Sequence, residues 1–343
     1  GDTGTRRRGE KARILWDRKS LRIGFRKVEL VREKDEAGES FFFRVNGVPI
    51  FAKGANWIPA DPLPARVSRQ TYERLLGAAV EAHMNMIRVW GGGIYENDIF
   101  YDLCDEKGLL IWHDHMFACA SYPVYESFLK NVDAEVAGNV RRLQHHPSIA
   151  LWCGNNENEG AIADWGAFKE NNKKLREDYQ ILTQVEARAT LREDPTRPWW
   201  PSSPSTSFDF VKPNDWNAGD AHFWEVWHGR KPFDRYLEIK PRFNSEFGFQ
   251  SFPMFETLKR FLNKDDLSIN SGAMEHHQRS WGGNMIICET STRYFRLPQD
   301  IDDFFYVSQL TQALAIQMGV EHWRRIQPFC MGTLYWQLND CWP

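Results

Sequence analysis

Eight short apolar runs, separated by longer segments, are the feature that most restricts how this chain can fold. The runs occupy residues 50–56, 86–91, 109–115, 149–156, 199–204, 220–224, 242–248 and 332–338. Segments with helix-like spacing of apolar residues lie between many of them, at residues 68–84, 96–108, 125–147, 172–193 and 300–326. Buried strands that alternate with helices predict a parallel sheet, and eight such strands predict a (β/α)8 barrel, the TIM barrel.

The residues before the barrel follow a different pattern. Residues 1–12 are polar and basic, which predicts a disordered segment or a linker. Residues 13–40 include a strand-like alternation at 21–31, and we interpret them as the end of a preceding β domain. Residues 41–343 would then form the barrel. Because the chain starts without methionine and stops directly after the eighth run, we expect a piece of a longer protein that lacks the closing helix.

Composition disfavours several classes of partner and cofactor. The formal net charge of -3 gives no reason to expect nucleic acid or an anionic membrane as a partner. No segment approaches the roughly 20 apolar residues of a membrane span, and the start lacks the apolar stretch of a signal peptide. The six cysteines lack the spacing of a zinc site, so we expect mostly buried free thiols and no metal or other cofactor. The cellular compartment stays open.

Most of the apolar runs end in polar or aromatic residues. These residues are Asn56, Trp90, Asp114, Asn155, Asn156, Glu157, Ser203, His222, Glu246 and Gln337. Amides and carboxylates beside an apolar strand cost free energy unless they are hydrogen-bonded or used. In a TIM barrel the carboxyl ends of the strands carry the active site. The stretch "LWCGNNENEG" at 151–160 is therefore predicted to bring its amides and carboxylates to the barrel mouth.

Two of these residues, Glu157 and Glu246, form a pair with a specific chemical use. They end the fourth and seventh runs, so both would face one pocket. Glycoside hydrolysis needs two carboxyl groups, one protonated and one ionised. Each carboxylate raises the proton affinity of the other, and a nearby cation decides which stays ionised; Arg88 is the available cation. The alternative is that each glutamate only pairs structurally with an arginine, but their joint placement at two strand ends favours catalysis.

Four motifs in order give the chain a family resemblance. The stretches "RVWGGGIYEND", "ALWCGNNENE", "FNSEFGFQSFP" and "LYWQLNDCWP" together resemble the β-mannosidases of glycoside hydrolase family 2, over roughly residues 21–343. "IGFRKVEL" is similar to the family's link from an immunoglobulin-like domain into the barrel. The resemblance implies removal of terminal β-mannose with retention, with Glu157 as general acid/base and Glu246 as nucleophile. It also implies that Asn156 binds the 2-hydroxyl of the sugar.

The same resemblance implies which residues line the sugar pocket. Trp90, Trp165 and Trp336 would form its aromatic walls, with Trp336 as a stacking floor; rim packing is the alternative for each. Asp114 would hold sugar hydroxyls, His222 would bind substrate or orient a catalytic group, and Arg88 would lie beside them. The sequence departs from the family at "HDHMFACA" and at "AHFWEVW", which lacks the tyrosine usually found near the nucleophile.

Two other functions are open at this point. One is a neighbouring specificity of the same family, β-galactosidase or β-glucuronidase, which shares the glutamate pair. The other is a sugar-binding barrel without activity. The expected partners are β-mannoside oligosaccharides or glycans, together with N-terminal sandwich and C-terminal domains of the same protein that are absent from this chain.

Overall fold

The computed structural model describes residues 17–18, 20, 22–168, 172–206 and 210–342, so the predicted disorder of residues 1–12 lies outside the described part. The strands are β1 (Val28–Val31), β2 (Lys34–Asp35), β3 (Gly38–Glu39), β4 (Phe42–Val45), β5 (Val48–Ile50), β6 (Ala52–Trp57), β7 (Met86–Val89), β8 (Leu110–Asp114), β9 (Ile149–Cys153), β10 (Trp199–Trp200), β11 (Ala221–Phe223), β12 (Asn244–Phe247) and β13 (Gly332–Tyr335). The α-helices are α1 (Arg69–Glu81), α2 (Asp98–Lys107), α3 (Glu126–Leu143), α4 (Asn158–Asp164), α5 (Asn172–Glu193), α6 (Arg235–Glu238), α7 (Phe255–Leu258), α8 (Gly272–His277), α9 (Gly283–Tyr294) and α10 (Ile301–Arg325).

Strands β6 to β13 form one curled sheet of eight parallel strands. Their order is β10-β9-β8-β7-β6-β13-β12-β11, so the first and eighth barrel strands, β6 and β13, are paired. The two edge strands, β10 and β11, are joined by side chains, because Trp200 Nε1 and Ser203 Oγ both donate to Asp220. An isolated antiparallel bridge between Ser205 and Asp220 adds to this contact. The TIM barrel predicted from the sequence is confirmed, with each strand inside its predicted range or within one residue of it.

The outer helices are distributed unevenly around the barrel. Helices α1, α2, α3 and α5 connect the strands from β6 to β10, and they begin and end close to the predicted positions. Ser68 caps α1 by accepting from Thr71 N, and Gly108 ends α2 with a positive φ of 70°, as its position in the sequence suggests. Between β10 and β11 the described residues contain no helix, and α6 is only 4 residues long. On that side, loops rather than helices build the barrel rim.

The chain packs so closely inside the barrel that two positions, one in β6 and one just after β7, need glycine. A Cβ at Gly54 of β6 would lie 1.7 Å from Met86 O on the neighbouring strand, and one at Gly91 would lie 2.6 Å from Phe117 O. Gly91 is the first glycine of the "GGG" stretch, and its N–H donates to Asp114. That glycine therefore lets the backbone after β7 approach the barrel mouth.

A second, small sheet closes the opposite end of the barrel. Strands β1, β4 and β5 pair antiparallel in the order β1-β4-β5, with β2 and β3 as a hairpin beside them. Phe41 and Phe43 are almost fully buried, and their rings contact Trp112, Trp200 and Phe243 of the barrel. The aromatic rings thus form one layer across the base of the barrel. That residues 13–40 end an immunoglobulin-like domain stays a prediction.

Cys104, Cys153 and Cys330 are buried, whereas Cys119 is exposed at the barrel mouth, and the six cysteines are free. Within the described ranges, every helix is too short or too polar to cross a bilayer.

Candidate active site

The barrel mouth is organised around one buried arginine. Arg88 lies in β7 and is fully buried. Its Nη1 donates to Glu246 Oε1 at 2.6 Å and to Asn56 Oδ1 at 2.9 Å, and its Nη2 donates to Asp114 Oδ2 at 2.8 Å and to Asn156 Oδ1 at 2.7 Å. Burial opposes the charge, but the carboxylates of Asp114 and Glu246 outweigh it and raise the pKa of Arg88. This guanidinium is a permanent cation that connects the ends of five strands.

Glu246 has the Arg88 guanidinium on one side and the His222 imidazole on the other. It lies in β12, with Arg88 on Oε1 and His222 Nδ1 at 3.4 Å from Oε2. Burial raises the pKa of Glu246, while His222 and Arg88 oppose that rise. Because the ion pair with Arg88 is direct and short, Glu246 is the carboxylate of this mouth that is best kept ionised.

Glu157 has a different set of contacts and an unusual backbone. It is the N-cap of α4, with φ at 61°, in the left-handed region that few non-glycine residues adopt. Its N–H donates to Ser203 O at 2.8 Å, which fixes this turn to the neighbouring strand end. Its Oε1 lies 2.7 Å from His222 Nδ1, and its Oε2 lies 3.4 Å from Cys119 Sγ. The direct partners of its carboxyl group are thus an imidazole and a thiol.

The two carboxyl groups are close to each other and share one imidazole. One oxygen of Glu157, one oxygen of Glu246 and one ring nitrogen of His222 all lie within 4.8 Å of one another. Burial raises the pKa of Glu157, with the Cys119 thiol and Arg88 opposing the rise. Burial lowers the pKa of His222 to about 4, so its ring is neutral near neutral pH. A carboxyl pair in this arrangement can share one proton and one negative charge.

Two tryptophans follow barrel strands at the same rim as the carboxyl groups. Trp90 follows β7 and Trp336 follows β13, and their rings meet edge to face with centroids 5.0 Å apart. Both residues are partly exposed, and their stacking against a sugar stays a prediction. Trp165 is placed differently: it is 42% exposed and its ring contact is with Phe168. No contact among the described residues links Trp165 to the carboxyl pair, and its role in substrate binding stays a prediction.

Comparison with known proteins was made for the whole chain. The chain is 42% identical over 353 residues to a β-mannosidase from Capra hircus, an alignment that covers 94% of this chain and 40% of the goat protein. It is 46% identical to a β-D-mannosidase structure from Dictyoglomus thermophilum, with a TM-score of 0.89 over 94% of this chain and 39% of that one. The chain belongs to the β-mannosidase family. No protein-family model matches it.

The match to the β-mannosidases has two limits. An exo-chitosanase from Amycolatopsis orientalis has the same fold, with a TM-score of 0.71, but at 20% identity that likeness concerns the fold alone. The chain also spans only about 40% of the length of the curated β-mannosidases it matches.

Most residues that the sequence singled out meet at the mouth of this barrel. Glu157, Glu246, Asn156, His222, Arg88 and Asp114 form one connected hydrogen-bond network, with Trp90 and Trp336 as two partly exposed rings. Asp114 and Arg88 are fully buried, and Asp114 accepts from Arg88, Gly91 N and Trp112 Nε1. Arg88 contacts Glu246 and Asn156 directly, and Asp114 contacts Arg88. That Asp114 and Arg88 contact the sugar directly stays a prediction.

The two histidines that flank Asp114 in the barrel have packing partners. His113 stacks between Tyr95 and Tyr101 and contacts Tyr101 Oη at 2.7 Å. His115 stacks on Trp152 and contacts Thr190 Oγ1 at 2.8 Å. A third acidic residue, Glu159, accepts from Ser205 Oγ, in keeping with the structural role its position suggests.

Three contributors to the mouth were not assigned a role from the sequence. Cys119 contacts both Glu157 and Asn156, Ser203 contacts His222, and Asp220 accepts from Ser203. Ser203 ends a predicted strand and Asp220 starts one, so their positions carried a signal. Cys119 lies in a loop after β8 with φ at 50°, and nothing in the spacing of the sequence marks it.

Among the described residues, a further group of acidic and imidazole side chains lies away from the barrel mouth. Asp102, Asp105 and His146 each place one ligand atom within 4.8 Å of the others, near the ends of α2 and α3. His146 Nδ1 is already bonded to Asp105 Oδ2 at 2.7 Å, which accounts for two of the three as an internal pair. The expectation that the protein uses no metal or other cofactor stays a prediction.

Proposed function

We propose that the complete protein removes terminal, non-reducing β-D-mannose residues from oligosaccharides or glycans by a retaining, two-glutamate double displacement. The observation that carries this proposal is the distance between the carboxyl groups: oxygens of Glu157 and Glu246 lie within 4.8 Å of each other. Carboxyl groups about 5–5.5 Å apart suit a retaining enzyme, whereas an inverting enzyme needs about 6.5–9.5 Å to admit a water molecule. Membership of the β-mannosidase family supports the choice of sugar.

The environments of the two glutamates support separate roles. Arg88 is in direct contact with Glu246, and the cation already balances Asp114 as well. Ionising Glu157 too would put a third carboxylate next to a single guanidinium, which raises the proton affinity of Glu157. Glu246 is therefore the nucleophile and Glu157 the general acid of the proposed reaction.

In the first step, one Glu246 oxygen attacks the anomeric carbon while the bond from that carbon to the leaving oxygen breaks. The Glu157 proton passes to the leaving oxygen, and a covalent mannosyl ester forms on Glu246. In the second step, Glu157, now ionised, takes a proton from water as the water oxygen attacks the same carbon. The ester bond breaks, Glu246 is again a carboxylate, and Glu157 is again protonated, so the configuration is retained.

The contacts of Asn156 support its proposed hold on the 2-hydroxyl. Its Oδ1 accepts from Arg88, and its Nδ2 lies 3.3 Å from Cys119 Sγ, a weak acceptor. The Oδ1 contact fixes the orientation of the amide, because only an oxygen can face the guanidinium. The Nδ2 group then remains a donor for a sugar oxygen that replaces or joins the thiol. Trp90 and Trp336 would bound the apolar face of the ring.

A panel of nitrophenyl glycosides, tested on the full-length protein, decides between this proposal and its alternatives. We expect β-mannoside to exceed β-glucoside and β-galactoside in kcat/KM, and β-mannose to be the first product seen by NMR. Equal or better turnover of a galactoside or a glucuronide would instead indicate a β-galactosidase or a β-glucuronidase of glycoside hydrolase family 2. Binding without turnover of any glycoside would instead identify a sugar-binding barrel, and α-mannose as the first product would contradict retention.

A further inference from the structure

A line of hydrogen-bonded groups leads from the proposed acid/base into the protein interior. Glu157 Oε1 lies 2.7 Å from His222 Nδ1, and His222 Nε2 lies 3.1 Å from Ser203 Oγ. Ser203 Oγ lies 2.6 Å from Asp220 Oδ2, and Asp220 is fully buried. Four groups from three strand ends thus connect Glu157 to a carboxylate that the proposed reaction does not use.

The contacts of Asp220 determine where the protons of this line lie. Its Oδ1 is 2.8 Å from Trp200 Nε1 and 3.1 Å from Ser205 N, both of which can only donate. Its Oδ2 is 2.6 Å from Ser203 Oγ and 2.5 Å from Ser245 Oγ. Separations this short are typical of a hydroxyl that donates to an ionised carboxylate. The carboxylate therefore receives four donors, and the single proton of Ser203 points at Asp220.

For the neutral ring that burial of His222 favours, this arrangement leaves one way to satisfy its contacts. Because Ser203 gives its proton to Asp220, its oxygen faces His222 Nε2 as an acceptor, so Nε2 must carry the hydrogen. A neutral imidazole has only one N–H, and Nδ1 is then an acceptor. Nδ1 lies 2.7 Å from Glu157, and two acceptors cannot face each other at that distance without a proton between them. The proton must belong to Glu157.

We propose that Asp220 and Ser203 fix His222 in the Nε2–H tautomer, so that His222 is a positioning residue that holds the acid/base Glu157 in its protonated form. The inference rests on the proposed function, because it concerns the proton that Glu157 gives to the leaving group. It also serves the second step: a bare Nδ1 lone pair facing an ionised Glu157 disfavours that anion, which makes Glu157 a stronger base toward water.

Other charged and titratable groups also face the line from the elements around it. Around Glu157 these are Glu246 of β12, Arg88 of β7, Cys119 after β8 and His228 after β11, and around His222 they are Glu246, Arg88 and Asp220. Asp220→Asn removes one charge that acts directly on His222, whereas Ser203→Ala keeps every charge, so a shift in the titration of Glu157 that both variants share would be transmitted through Ser203 and His222.

The variant Asp220→Asn should reverse the donor and acceptor roles along this line of hydrogen bonds, with little change in the shape of the side chain. An asparagine Oδ1 still accepts from Trp200 and Ser205, while its Nδ2 donates to Ser203 and Ser245. Ser203 must then turn its proton to His222 Nε2, and Nδ1–H donates to Glu157, which favours the ionised form. Since the acid must be protonated in the first step, activity is lost as pH rises through its pKa. We expect the basic limb of kcat/KM for phenyl β-mannoside to move down by about one pH unit.

Two controls separate this effect from damage to the fold. Asp194 is also buried and accepts from a strand tryptophan, Trp152 Nε1, but it pairs with Arg197 and is not part of the line. Asp194→Asn should leave the basic limb where it is, whereas Ser203→Ala should move it in the same direction as Asp220→Asn. A basic limb that stays at the wild-type pH in both Asp220→Asn and Ser203→Ala, with only the rate reduced, would overturn the proposal.

A spectroscopic measurement tests the tautomer without any assay of activity. In full-length protein with labelled histidine, solid-state NMR shifts of the ring nitrogens and carbons distinguish the two neutral tautomers, and His222→Gln identifies the signal. We expect Nε2–H in the wild type and Nδ1–H in Asp220→Asn. A wild-type His222 in the Nδ1–H or doubly protonated form would refute the inference even if the protein is a β-mannosidase. The expected tautomers would support the inference even if the proposed substrate is wrong.

Discussion

Glu157 and Glu246 are the same residue type within a few ångströms of each other, yet their surroundings differ in kind. Glu246 is held by the fixed charge of Arg88, which no accessible pH removes. Glu157 is held by an imidazole and a thiol, both of which are neutral near neutral pH. A fixed cation suits a group that must stay ionised. Neutral partners with movable protons suit a group that must give up its proton and then recover one.

The largest expected loss of activity comes from replacing Glu246, the glutamate that is paired with the fixed charge of Arg88. Glu246→Ala deletes the attacking atom, so every substrate should fail, however good its leaving group, with kcat lowered by about 10⁴-fold or more. Steady-state rates with dinitrophenyl β-mannoside and a plain aryl mannoside measure this. Azide added to this variant should give the α-mannosyl azide. Normal turnover of dinitrophenyl mannoside would show that Glu246 is not the nucleophile.

Replacing Glu157, the glutamate with neutral partners, should lower activity by an amount that depends on the leaving group. Glu157→Ala removes a proton donor, so plain aryl mannosides should lose about 10²–10⁴-fold in kcat/KM. Dinitrophenolate needs little protonation, and formation of the mannosyl-enzyme from that substrate should survive while its hydrolysis slows. Azide needs no general base and should restore turnover, with β-mannosyl azide as the product seen by NMR. Equal losses on both substrates would remove the distinction between the two glutamates.

A smaller effect is expected when the charge of Arg88 is kept but its shape is changed. Arg88→Lys retains a cation but cannot donate to Glu246, Asn56, Asp114 and Asn156 together. Weaker pairing raises the pKa of Glu246, and activity requires that group ionised. The acid limb of kcat/KM should therefore move to higher pH by up to about one unit. The exposed Arg192, bonded to Asp133, offers the control Arg192→Lys, which should leave the limb unchanged.

Much of the barrel and the centre of the site could be predicted from the sequence because their signals are local. The apolar runs gave every barrel strand, and residues such as Asn156 and Glu246 stood out as polar groups at the ends of apolar strands. Their meeting followed from the topology alone, since parallel strands all bring their carboxyl ends to one rim. The same argument predicted that His222 and Arg88 lie at this rim, because the register of the parallel strands fixes their positions.

What escaped prediction depends on contacts between distant loops. Cys119 reaches Glu157 through a loop whose path no periodicity specifies. The buried state of Asp114 depends on Arg88, Gly91 and Trp112 enclosing it from three positions, which its place at a strand end does not reveal. Trp165, which the family resemblance assigned to the sugar pocket, ends the short helix α4 and is 42% exposed, and its role in the pocket stays a prediction.

The aromatic layer at the base of the barrel has a consequence for exchanging parts between related proteins. Phe43 lies in β4 of the small N-terminal sheet and Phe41 directly precedes that strand. Trp112 and Trp200 lie in β8 and β10, Phe243 directly precedes β12, and the rings contact one another across that border. A chimera joined at residue 50 would pair one parent's rings with the other parent's cavity and leave gaps or clashes. Residues 28–50 should therefore be inherited together with the barrel, so that a viable crossover lies before Val28, at the far side of the small sheet.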